Sequence, residues 1–383
     1  MNLLVNPRTA VQDGFTPPPL ALLYLAANDP DTIVFDSATK GDAVPFIQEH
    51  KPKIVGCSMH TGYRMEAIRV LKEAKALGCK TVAGGVHVSI MHKQLEEHYP
   101  FIDHLVVGDG ELAWKAICEG QNLSRVIRMP VLDLDSLPQP KWDAIDLRSY
   151  PGRGIGIING INLSTEPRTI LVYGRGCSGR CHFCSTWWVN GLKGKYRHHG
   201  MKWMEQTLIR LRDIGCRNLI FMDDNLTDDR NAALELCELL TKFNFIWGGI
   251  IRADHLDLEL AVKMKAAGCY ELCFGIETGS EELLEKINKQ TNLQKALEAR
   301  MICARVGIRF MALMMYGLPY ETPELRKQTN NFIGMLRPDS IGSEGHTIIF
   351  PGTVFYQRCK AAGIIDDDFW LGDEKYFIYK GGL

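Results

Sequence analysis

The sequence has no long apolar run and almost no net charge. Its longest apolar stretches, such as residues 308–316, are far shorter than the roughly 20 residues that a membrane-spanning helix needs. The first residues lack a basic segment and a cleavage site, so we expect no signal peptide and a cytoplasmic protein. The formal net charge of −1 offers no basic field to nucleic acid. We therefore expect neither a membrane nor a nucleic acid as a partner.

Internal repeats and low-complexity tracts are also missing, which excludes solenoids and disordered arrays. The 383 residues are 46% hydrophobic and 23% charged, as is ordinary for folded domains. The length suits two domains, each large enough to bury a core.

Short apolar strands alternate with helices over residues 1–128. This pattern predicts a doubly wound, Rossmann-like parallel sheet, in which ligands bind at the carboxyl ends of the strands. Small residues at those ends would let a ligand approach the backbone closely. The expected strands are residues 3–5, 32–35, 54–58, 80–83 and 104–107, and the candidate binding residues are Ser58, Gly84, Gly85, Gly108 and Gly110.

A proline-rich connector over residues 129–165 precedes a second strand–helix alternation. Six βα units over residues 166–350 predict a partial (β/α)6 barrel of the TIM type, with its chemistry at the carboxyl ends of the strands. Residues 351–383 are expected to form a C-terminal cap over the barrel mouth. The expected barrel strands are residues 170–173, 218–222, 246–251, 270–275, 308–315 and 340–350.

Three of the twelve cysteines share one glycine-rich loop after the first barrel strand. Cys177, Cys181 and Cys184 have the spacing Cys-x3-Cys-x2-Cys, which lets three thiolates converge on one [4Fe–4S] cluster. The fourth iron would then be open to a chelating ligand. The other nine cysteines are scattered, several of them in apolar stretches, and are interpreted as ordinary thiols.

The main alternative for this loop is a zinc site. Zinc usually takes four ligands, and the fourth could be His182, His198 or His199. Structural zinc motifs more often have a second paired arm, and the sequence shows none. Ligand count therefore favours the iron–sulfur cluster.

The loop resembles the signature of the radical S-adenosylmethionine (SAM) superfamily. The resemblance continues through motifs at later strand ends, residues 221–228, 251–254, 274–280, 315–319 and 351–353. It implies that the open iron chelates SAM and that reductive cleavage yields a 5′-deoxyadenosyl radical. It also implies an electron donor of the flavodoxin or reductase type.

The resemblance also implies residues that would hold SAM. The backbone near Phe183 would contact adenine, and Arg252 would hold the carboxylate. Glu277 would hold the ribose hydroxyls. Asp223 or Asp224 would hold the amino group, although the family's Gly-Gly-Glu motif is absent and leaves the choice between them open. The alternative for Arg252 and Glu277 is a structural ion pair.

Residues 1–128 resemble the cobalamin-binding domain that precedes the barrel in one radical SAM class. The matching pieces include the strand-end residues named above. The histidine motif that would ligate cobalt is absent from residues 6–17. His60 and His87 are interpreted as pocket wall or paired polar groups. The alternative is a domain that keeps the fold but has lost the cofactor.

The leading functional hypothesis is cobalamin-dependent methylation of an unactivated carbon. The alternatives are a cobalamin-bearing radical SAM enzyme that catalyses rearrangement, cyclisation or oxidation, a methylthiotransferase, and a non-catalytic cobalamin or metal sensor. A methylthiotransferase would need a second cluster, for which Cys57, Cys79 and Cys118 are poor candidates. The substrate is expected to be a small molecule or a peptide. Residues that either line its cavity or pack at the surface are Trp187, Trp188, Arg197, His198 and His199.

Overall fold

The chain forms two compact units. The computed structural model describes residues 1–7, 16–150, 157–158, 161–162, 167–189, 192, 194–343, 346–373 and 376–383. The front unit comprises Met1–Arg153, Trp188–Lys193 and Ile365–Tyr376, and the second unit comprises Gly154–Trp187, Gly194–Ile364 and Phe377–Leu383. Within the described ranges, no helix is long and apolar enough to cross a membrane.

The front unit is built on a six-stranded parallel sheet with the order β2-β1-β3-β4-β5-β6. This confirms the predicted Rossmann-like fold, and β6 is an additional strand that the sequence pattern did not predict. The strands are β1 (Asn2–Asn6), β2 (Thr32–Asp36), β3 (Ile54–Ser58), β4 (Lys80–Gly84), β5 (His104–Val106) and β6 (Val126–Ile127). The helices are α1 (Leu20–Ala26), α2 (Ser37–Lys40), α3 (Val44–His50), α4 (Arg64–Ala76), α5 (Val86–His98) and α6 (Glu111–Cys118).

Trp114 of α6 anchors the core of this unit. Its ring lies against Gly56 of β3, where a Cβ atom would stand 2.8 Å from the indole. Its Nε1 donates a hydrogen bond to the Thr32 hydroxyl at 3.1 Å, so the buried indole N–H is paired. The strand must therefore carry glycine at position 56.

Residues from Ile365–Tyr376, far from Arg64 in sequence, pack around this arginine within the front unit. This guanidinium, 1% exposed, donates to the carbonyls of Trp370 at 2.7 Å and Gly372 at 2.7 Å. The Tyr99 hydroxyl donates to the carbonyl of Leu371 at 2.9 Å. Ile365–Tyr376, which the sequence suggested as part of a cap over the barrel, thus belongs to the front unit, where backbone carbonyls of residues 370–372 accept from Arg64 and Tyr99.

The second unit contains a six-stranded, all-parallel sheet with the order β16-β15-β14-β13-β12-β9. The six strands of this sheet lie side by side in the order in which they occur along the chain. β9 and β16 are its two edge strands, which confirms the partial barrel. The strands are β7 (Ile157–Ile158), β8 (Ile161–Asn162), β9 (Arg168–Leu171), β10 (Gly174–Arg175), β11 (Arg197–His198), β12 (Asn218–Phe221), β13 (Ile246–Ile251), β14 (Cys269–Glu277), β15 (Arg309–Met314) and β16 (Ser340–Ser343). The helices are α7 (Thr186–Val189), α8 (Met201–Asp213), α9 (Arg230–Thr241), α10 (Leu258–Ala266), α11 (Glu281–Lys286), α12 (Leu293–Val306), α13 (Pro323–Leu336) and α14 (Val354–Ala361).

Aromatic side chains of neighbouring barrel strands pack against one another. Phe274 and Phe310 stack at 4.1 Å between ring centroids, and Phe221 meets Trp247 edge-on at 5.4 Å. The last predicted strand, residues 340–350, is described as β16 over Ser340–Ser343. Farther along, His346 forms a parallel bridge to Tyr316, and Ile348 forms an antiparallel bridge to Ile378.

Candidate cofactor sites

Cys177, Cys181 and Cys184 lie on the loop between β10 and α7, and all three are partly exposed. A Cβ atom at Gly179 would stand 3.3 Å from Cys177 Sγ and 4.0 Å from Cys181 Sγ, so these two thiols lie close together. The Cys184 amide donates to the Cys181 carbonyl at 3.1 Å, which keeps Cys184 in the same turn. Gly176 has a φ of 95° and passes close to the chain that returns through Lys195, where a Cβ atom would stand 2.5 Å from the carbonyl oxygen. Only glycine fits this crossing.

Carboxylates from the loop after β12 hold the backbone on one side of the cysteine loop. Asp223 accepts hydrogen bonds from the amides of Tyr173 at 3.2 Å and Gly174 at 2.5 Å. Asp224 accepts from the amide of Gly176 at 3.1 Å. Asp228 accepts from the Ser178 amide at 3.2 Å and the Ser178 hydroxyl at 2.9 Å. The loop is therefore fixed at four successive points before Cys181.

Residues 287–290, just after α11, hold the other side of the loop. The carbonyl of Ile287 accepts from the His182 amide at 2.9 Å. The side chain of Asn288 donates to the carbonyl of Arg180 at 2.8 Å, and that of Gln290 accepts from the Arg180 amide at 3.4 Å. The loop after β12 and the segment after α11 thus bracket the cysteine loop.

Gly179 leaves room for a bound group beside the cysteine sulfurs. A Cβ atom at Gly179 would stand 3.3 Å from Cys177 Sγ and 3.3 Å from Arg252 Nη1, so this glycine opens a cradle beside the sulfur. Thiolates around one zinc ion lie close together because each Zn–S bond is about 2.3 Å long. Among the described residues, no three His, Cys, Asp or Glu side chains are arranged to hold a single metal ion. In a cubane each thiolate binds its own iron, so the sulfurs stand farther apart.

The thiols themselves need an electropositive partner in order to ionise. Burial raises the pKa of Cys177 to about 11 and also raises that of Cys181, although the nearby Lys289 ammonium opposes the shift at Cys181. Bound iron would supply the charge that favours the thiolate form. His182, a candidate fourth ligand for zinc, has its Nδ1 2.9 Å from the carbonyl of Lys286.

The two aspartates predicted to bind the SAM amino group are both engaged by the cysteine loop. Asp223 is 1% exposed, and burial raises its pKa to about 7. Both of its oxygens accept backbone N–H groups. Asp224 also accepts from the hydroxyl of Thr186 at 2.9 Å, but it still reaches solvent. A role for either aspartate in binding SAM stays a prediction, and this geometry favours Asp224.

Arg252 and Glu277 lie at the ends of neighbouring strands but do not pair with each other. Arg252 forms a bidentate ion pair with Asp254, at 3.1 and 2.9 Å. Glu277 pairs with Lys289 at 2.8 Å. The ring of Phe183 lies 5.7 Å from the Lys289 ammonium. Sequence reasoning missed Lys289, although its place in the INKQT segment after a strand-end glutamate is visible in the sequence.

The strand ends of the front unit carry no side chain larger than serine at the predicted positions. Ser58 and Gly84 are paired in register and half-buried. Gly85 has a φ of 105°, and its Cβ position would lie 3.0 Å from the carbonyl of Met59. Ser89, which the sequence did not single out, accepts from the Gly108 amide at 3.0 Å and donates to the Gly85 carbonyl at 2.9 Å. This bare edge fits a flat ligand such as a corrin ring, and at Gly110 the nearest atoms to a Cβ position belong to Leu25, at 3.5 Å or more.

His87 lies behind this edge and is fully buried. Its Nδ1 is 3.2 Å from the Thr61 hydroxyl, while Nε2 has no hydrogen-bond partner among the described residues. Burial lowers the pKa of His87 to about 3, and the Arg64 and His60 charges add to the shift. His60 is exposed and stacks on Tyr63. The loop expected to carry a cobalt ligand falls mostly on residues 8–15, outside the described ranges.

Several of the residues predicted to line a cavity or to pack at the surface are held by contacts inside the protein. His199 is 1% exposed and stacks on Trp203, with ring centroids 3.5 Å apart. The Nδ1 of His198 lies 2.9 Å from the Tyr173 hydroxyl, and Arg197 is also buried. Trp187 packs under the Arg180 guanidinium at 4.7 Å. The side chain of Trp188 lies outside the described residues.

Comparison with protein families assigns both parts of the chain. The model of the radical SAM superfamily matches residues 171–333, and the model of the B12 binding domain matches residues 11–118. The chain therefore combines a B12-binding domain with a radical SAM domain. It is a radical SAM enzyme, and its two families imply a [4Fe–4S] cluster, SAM and cobalamin as cofactors.

Two curated relatives extend over most of the chain. A protein from Pyrococcus horikoshii described as an uncharacterized methyltransferase is 27% identical over 385 residues, covering 92% of this chain and 80% of the relative. The anaerobic magnesium-protoporphyrin IX monomethyl ester cyclase of Rubrivivax gelatinosus is 26% identical over 367 residues. That match covers 84% of this chain and 63% of the cyclase, so the chain spans less than two thirds of that relative.

Solved structures show the same fold. The radical SAM methyltransferase TsrM from Kitasatospora setae, bound to tryptophan and a SAM analog, superposes with a TM-score of 0.72 at 20% identity. The match covers 92% of this chain and 74% of TsrM. A second TsrM structure contains cobalamin and a [4Fe–4S] cluster. At this identity the comparison establishes the architecture.

Proposed function

We propose that this protein is a cobalamin-dependent radical SAM methyltransferase that methylates an unactivated carbon of a small molecule or peptide. The observation that carries the proposal is the loop with Cys177, Cys181 and Cys184, which stands at the carboxyl end of a parallel barrel strand. The loop after β12 and the segment after α11 bracket it. The name of the Pyrococcus horikoshii relative supports methyl transfer. We further propose that it works in the cytoplasm with a flavodoxin- or reductase-type electron donor.

The residues of this chain would bind and orient the cofactors. When bound, the cluster supplies the electron that cleaves SAM reductively, and cobalamin carries the methyl group. Cys177, Cys181 and Cys184 would ligate three irons and leave the fourth open. Arg252 stays cationic and is held by Asp254, with Nη1 turned toward Gly179, where it could bind a carboxylate.

Other strand-end groups would complete the binding of SAM. Glu277 has one oxygen on Lys289, and its second oxygen could accept hydrogen bonds from ribose hydroxyls. Asp224 could accept a charge-assisted hydrogen bond from an ammonium. Ser58, Gly84, Gly85, Gly108 and Gly110 would form the edge against which cobalamin lies.

A second candidate function is radical oxidation or cyclisation without methyl transfer. The observation that favours it is the match to the Rubrivivax gelatinosus cyclase. Both functions use the same cluster loop and front domain, so they differ in the fate of the substrate. Methyl transfer predicts that label from S-[methyl-14C]adenosylmethionine enters the product, whereas cyclisation predicts that it does not.

Anaerobic reconstitution tests the proposal. The wild-type protein, reconstituted with iron and sulfide and reduced with dithionite, should cleave SAM to 5′-deoxyadenosine. The triple variant Cys177→Ala/Cys181→Ala/Cys184→Ala should not, whereas Cys237→Ala, at a buried thiol on α9, should retain cleavage. Persistent cleavage in the triple variant would refute the enzyme proposal and favour a non-catalytic sensor. A protein that stays free of cobalt after refolding with hydroxocobalamin would refute the methyltransferase proposal alone.

A further inference from the structure

A buried ion pair stands beside the cysteine loop. Lys289 Nζ and Glu277 Oε1 are 2.8 Å apart, and both side chains are at most one-tenth exposed. The pair lies directly over Gly275, where a Cβ atom would stand 2.5 Å from Glu277 Oε1 and 2.8 Å from Lys289 Nζ. A side chain at position 275 would displace the two charges, so the strand leaves room for them.

The backbone that carries this pair is strained. Glu277 has a φ of 66°, and the residues on either side of Lys289, Asn288 and Gln290, have φ values of 52° and 56°. The register between β14 and β15 also shifts between Gly275 and Glu277. Such left-handed conformations cost on the order of 1 kcal/mol or more each, and they persist where the surroundings fix them, often at functional sites. Three of them converge on one ion pair.

The ammonium of Lys289 points toward the cysteine loop. It lies 5.7 Å from the centre of the Phe183 ring, between Cys181 and Cys184 in the sequence. The Lys289 carbonyl accepts a hydrogen bond from Arg252 Nη2 at 2.9 Å. Among the charged groups around the Cys181 thiol, Lys289 has the largest effect and Glu277 a smaller, opposite one. Buried charges interact strongly because little water screens them.

We propose that Lys289 is a positioning residue of the cluster site, whose ammonium, locked on Glu277 over Gly275, places a fixed positive charge beside the Cys181 side of the cluster. This inference rests on the proposed function. A cluster with three thiolate ligands gains an electron on reduction, and net charge nearby is one determinant of its potential. The ammonium therefore raises the reduction potential, and the carboxylate of Glu277 partly offsets that effect.

A redox titration followed by electron paramagnetic resonance tests this inference on the reconstituted full-length protein. Lys289→Met should lower the midpoint potential of the cluster, and Glu277→Gln should raise it. Lys289→Arg should leave it near that of wild type. Lys263→Met is the matched control, because it removes a half-exposed lysine that pairs with Glu238 at 3.6 Å on the outer helices, and it should not shift the potential.

A merely structural ion pair gives a different pattern. It predicts that Lys289→Met and Glu277→Gln both lose cluster content but share the wild-type potential in the protein that retains it, and this result would overturn the inference. If one charge alone proves too costly to bury, Lys289→Met/Glu277→Gln removes both charges and should fold. Its potential should lie below that of wild type, by less than the shift of Lys289→Met, and an unchanged potential there also overturns the inference. If the wild-type protein assembles no cluster, the proposed function itself fails.

Discussion

The carboxylate of Asp223 accepts a hydrogen bond from the backbone amide of Gly174 at 2.5 Å. Its second oxygen accepts from the amide of Tyr173, so the end of β12 fixes the point at which the chain leaves β9. A buried carboxylate with both oxygens on backbone donors is a structural support. Asp223 therefore holds the loop from a buried position, whereas Asp224, which accepts from the Gly176 amide, is exposed to solvent.

Replacing Asp223 should weaken the cysteine loop. In Asp223→Asn the side-chain amide can accept from only one of the two backbone donors and leaves the other N–H buried and unpaired, at a cost of about 1–3 kcal/mol. We expect a several-fold loss of iron and sulfide after reconstitution, with little change in the far-ultraviolet circular dichroism. Asp213→Asn, at an exposed carboxylate on α8, should retain wild-type iron content. Full iron content in Asp223→Asn would contradict the supporting role.

Gly179→Ala should obstruct the cradle beside Cys177. The new methyl group would stand 3.3 Å from both Cys177 Sγ and Arg252 Nη1, closer than ordinary van der Waals contacts. We expect lower cluster occupancy and an altered electron paramagnetic resonance signal. Gly334→Ala is the matched control on α13, since no described atom beyond its chain neighbours and its own helical backbone lies within 4 Å of the Cβ position. It should stabilise the protein by about 0.5–1 kcal/mol. A wild-type signal in Gly179→Ala would contradict the prediction that the cluster needs the space beside Cys177.

Much of this architecture is predictable from the sequence, because it depends on local patterns. Buried parallel strands such as Ile246–Ile251 appear as apolar runs, and the spacing of Cys177, Cys181 and Cys184 is contiguous. The pairing of charges is not local. The sequence left an ion pair between Arg252 and Glu277 open as the alternative to SAM binding, whereas in the structure Glu277 pairs with Lys289.

Tertiary contacts also decide what a polar residue at a strand end does. Asp223 and Asp224 are adjacent in sequence, yet only their contacts show that one is buried under the cysteine loop. Ser89 joins the ends of β4 and β5 through two hydrogen bonds, and no sequence motif predicts them.

The buried His87 should make the front unit sensitive to acid. Its folded-state pKa of about 3 lies below the ordinary value of 6.5, so between these values the unfolded chain binds a proton that the folded chain does not. Stability from this group is therefore complete above pH 6.5 and is lost as pH falls toward 3. We expect the melting temperature of His87→Asn to fall less steeply with acidification than that of wild type. His50→Asn, at a partly exposed histidine, should follow the wild-type slope, and an equal slope in His87→Asn would contradict the assignment.

Neighbouring glycines at the end of β4 should respond differently to substitution. A Cβ atom at Gly84 would meet only Val106 among the described atoms within 4 Å, so Gly84→Leu should fold and project a side chain over the proposed cobalamin edge. We expect a large loss of cobalamin after refolding with hydroxocobalamin, measured by visible absorption, at a nearly unchanged melting temperature. Gly85→Ala, at a φ of 105° and against the Met59 carbonyl, should instead lower the melting temperature. Normal cobalamin content in Gly84→Leu would place the cofactor elsewhere.

Arg64 should hold the segment Ile365–Tyr376 in place within the front unit. Its guanidinium is 1% exposed, and carbonyls of Phe369, Trp370 and Gly372 accept hydrogen bonds from its N–H groups. Arg64→Met preserves most of the apolar stem but removes these hydrogen bonds, which should cost about 2–4 kcal/mol locally. We expect faster amide exchange and proteolysis within Ile365–Tyr376, while β1 to β5 keep their protection.

Arg69→Met, which removes an exposed guanidinium from the same helix, should leave that segment protected. If the segment in Arg64→Met exchanges as slowly as in wild type, then its docking depends on the Gln94 and Tyr99 hydrogen bonds to Asp367 and Leu371 rather than on the buried charge.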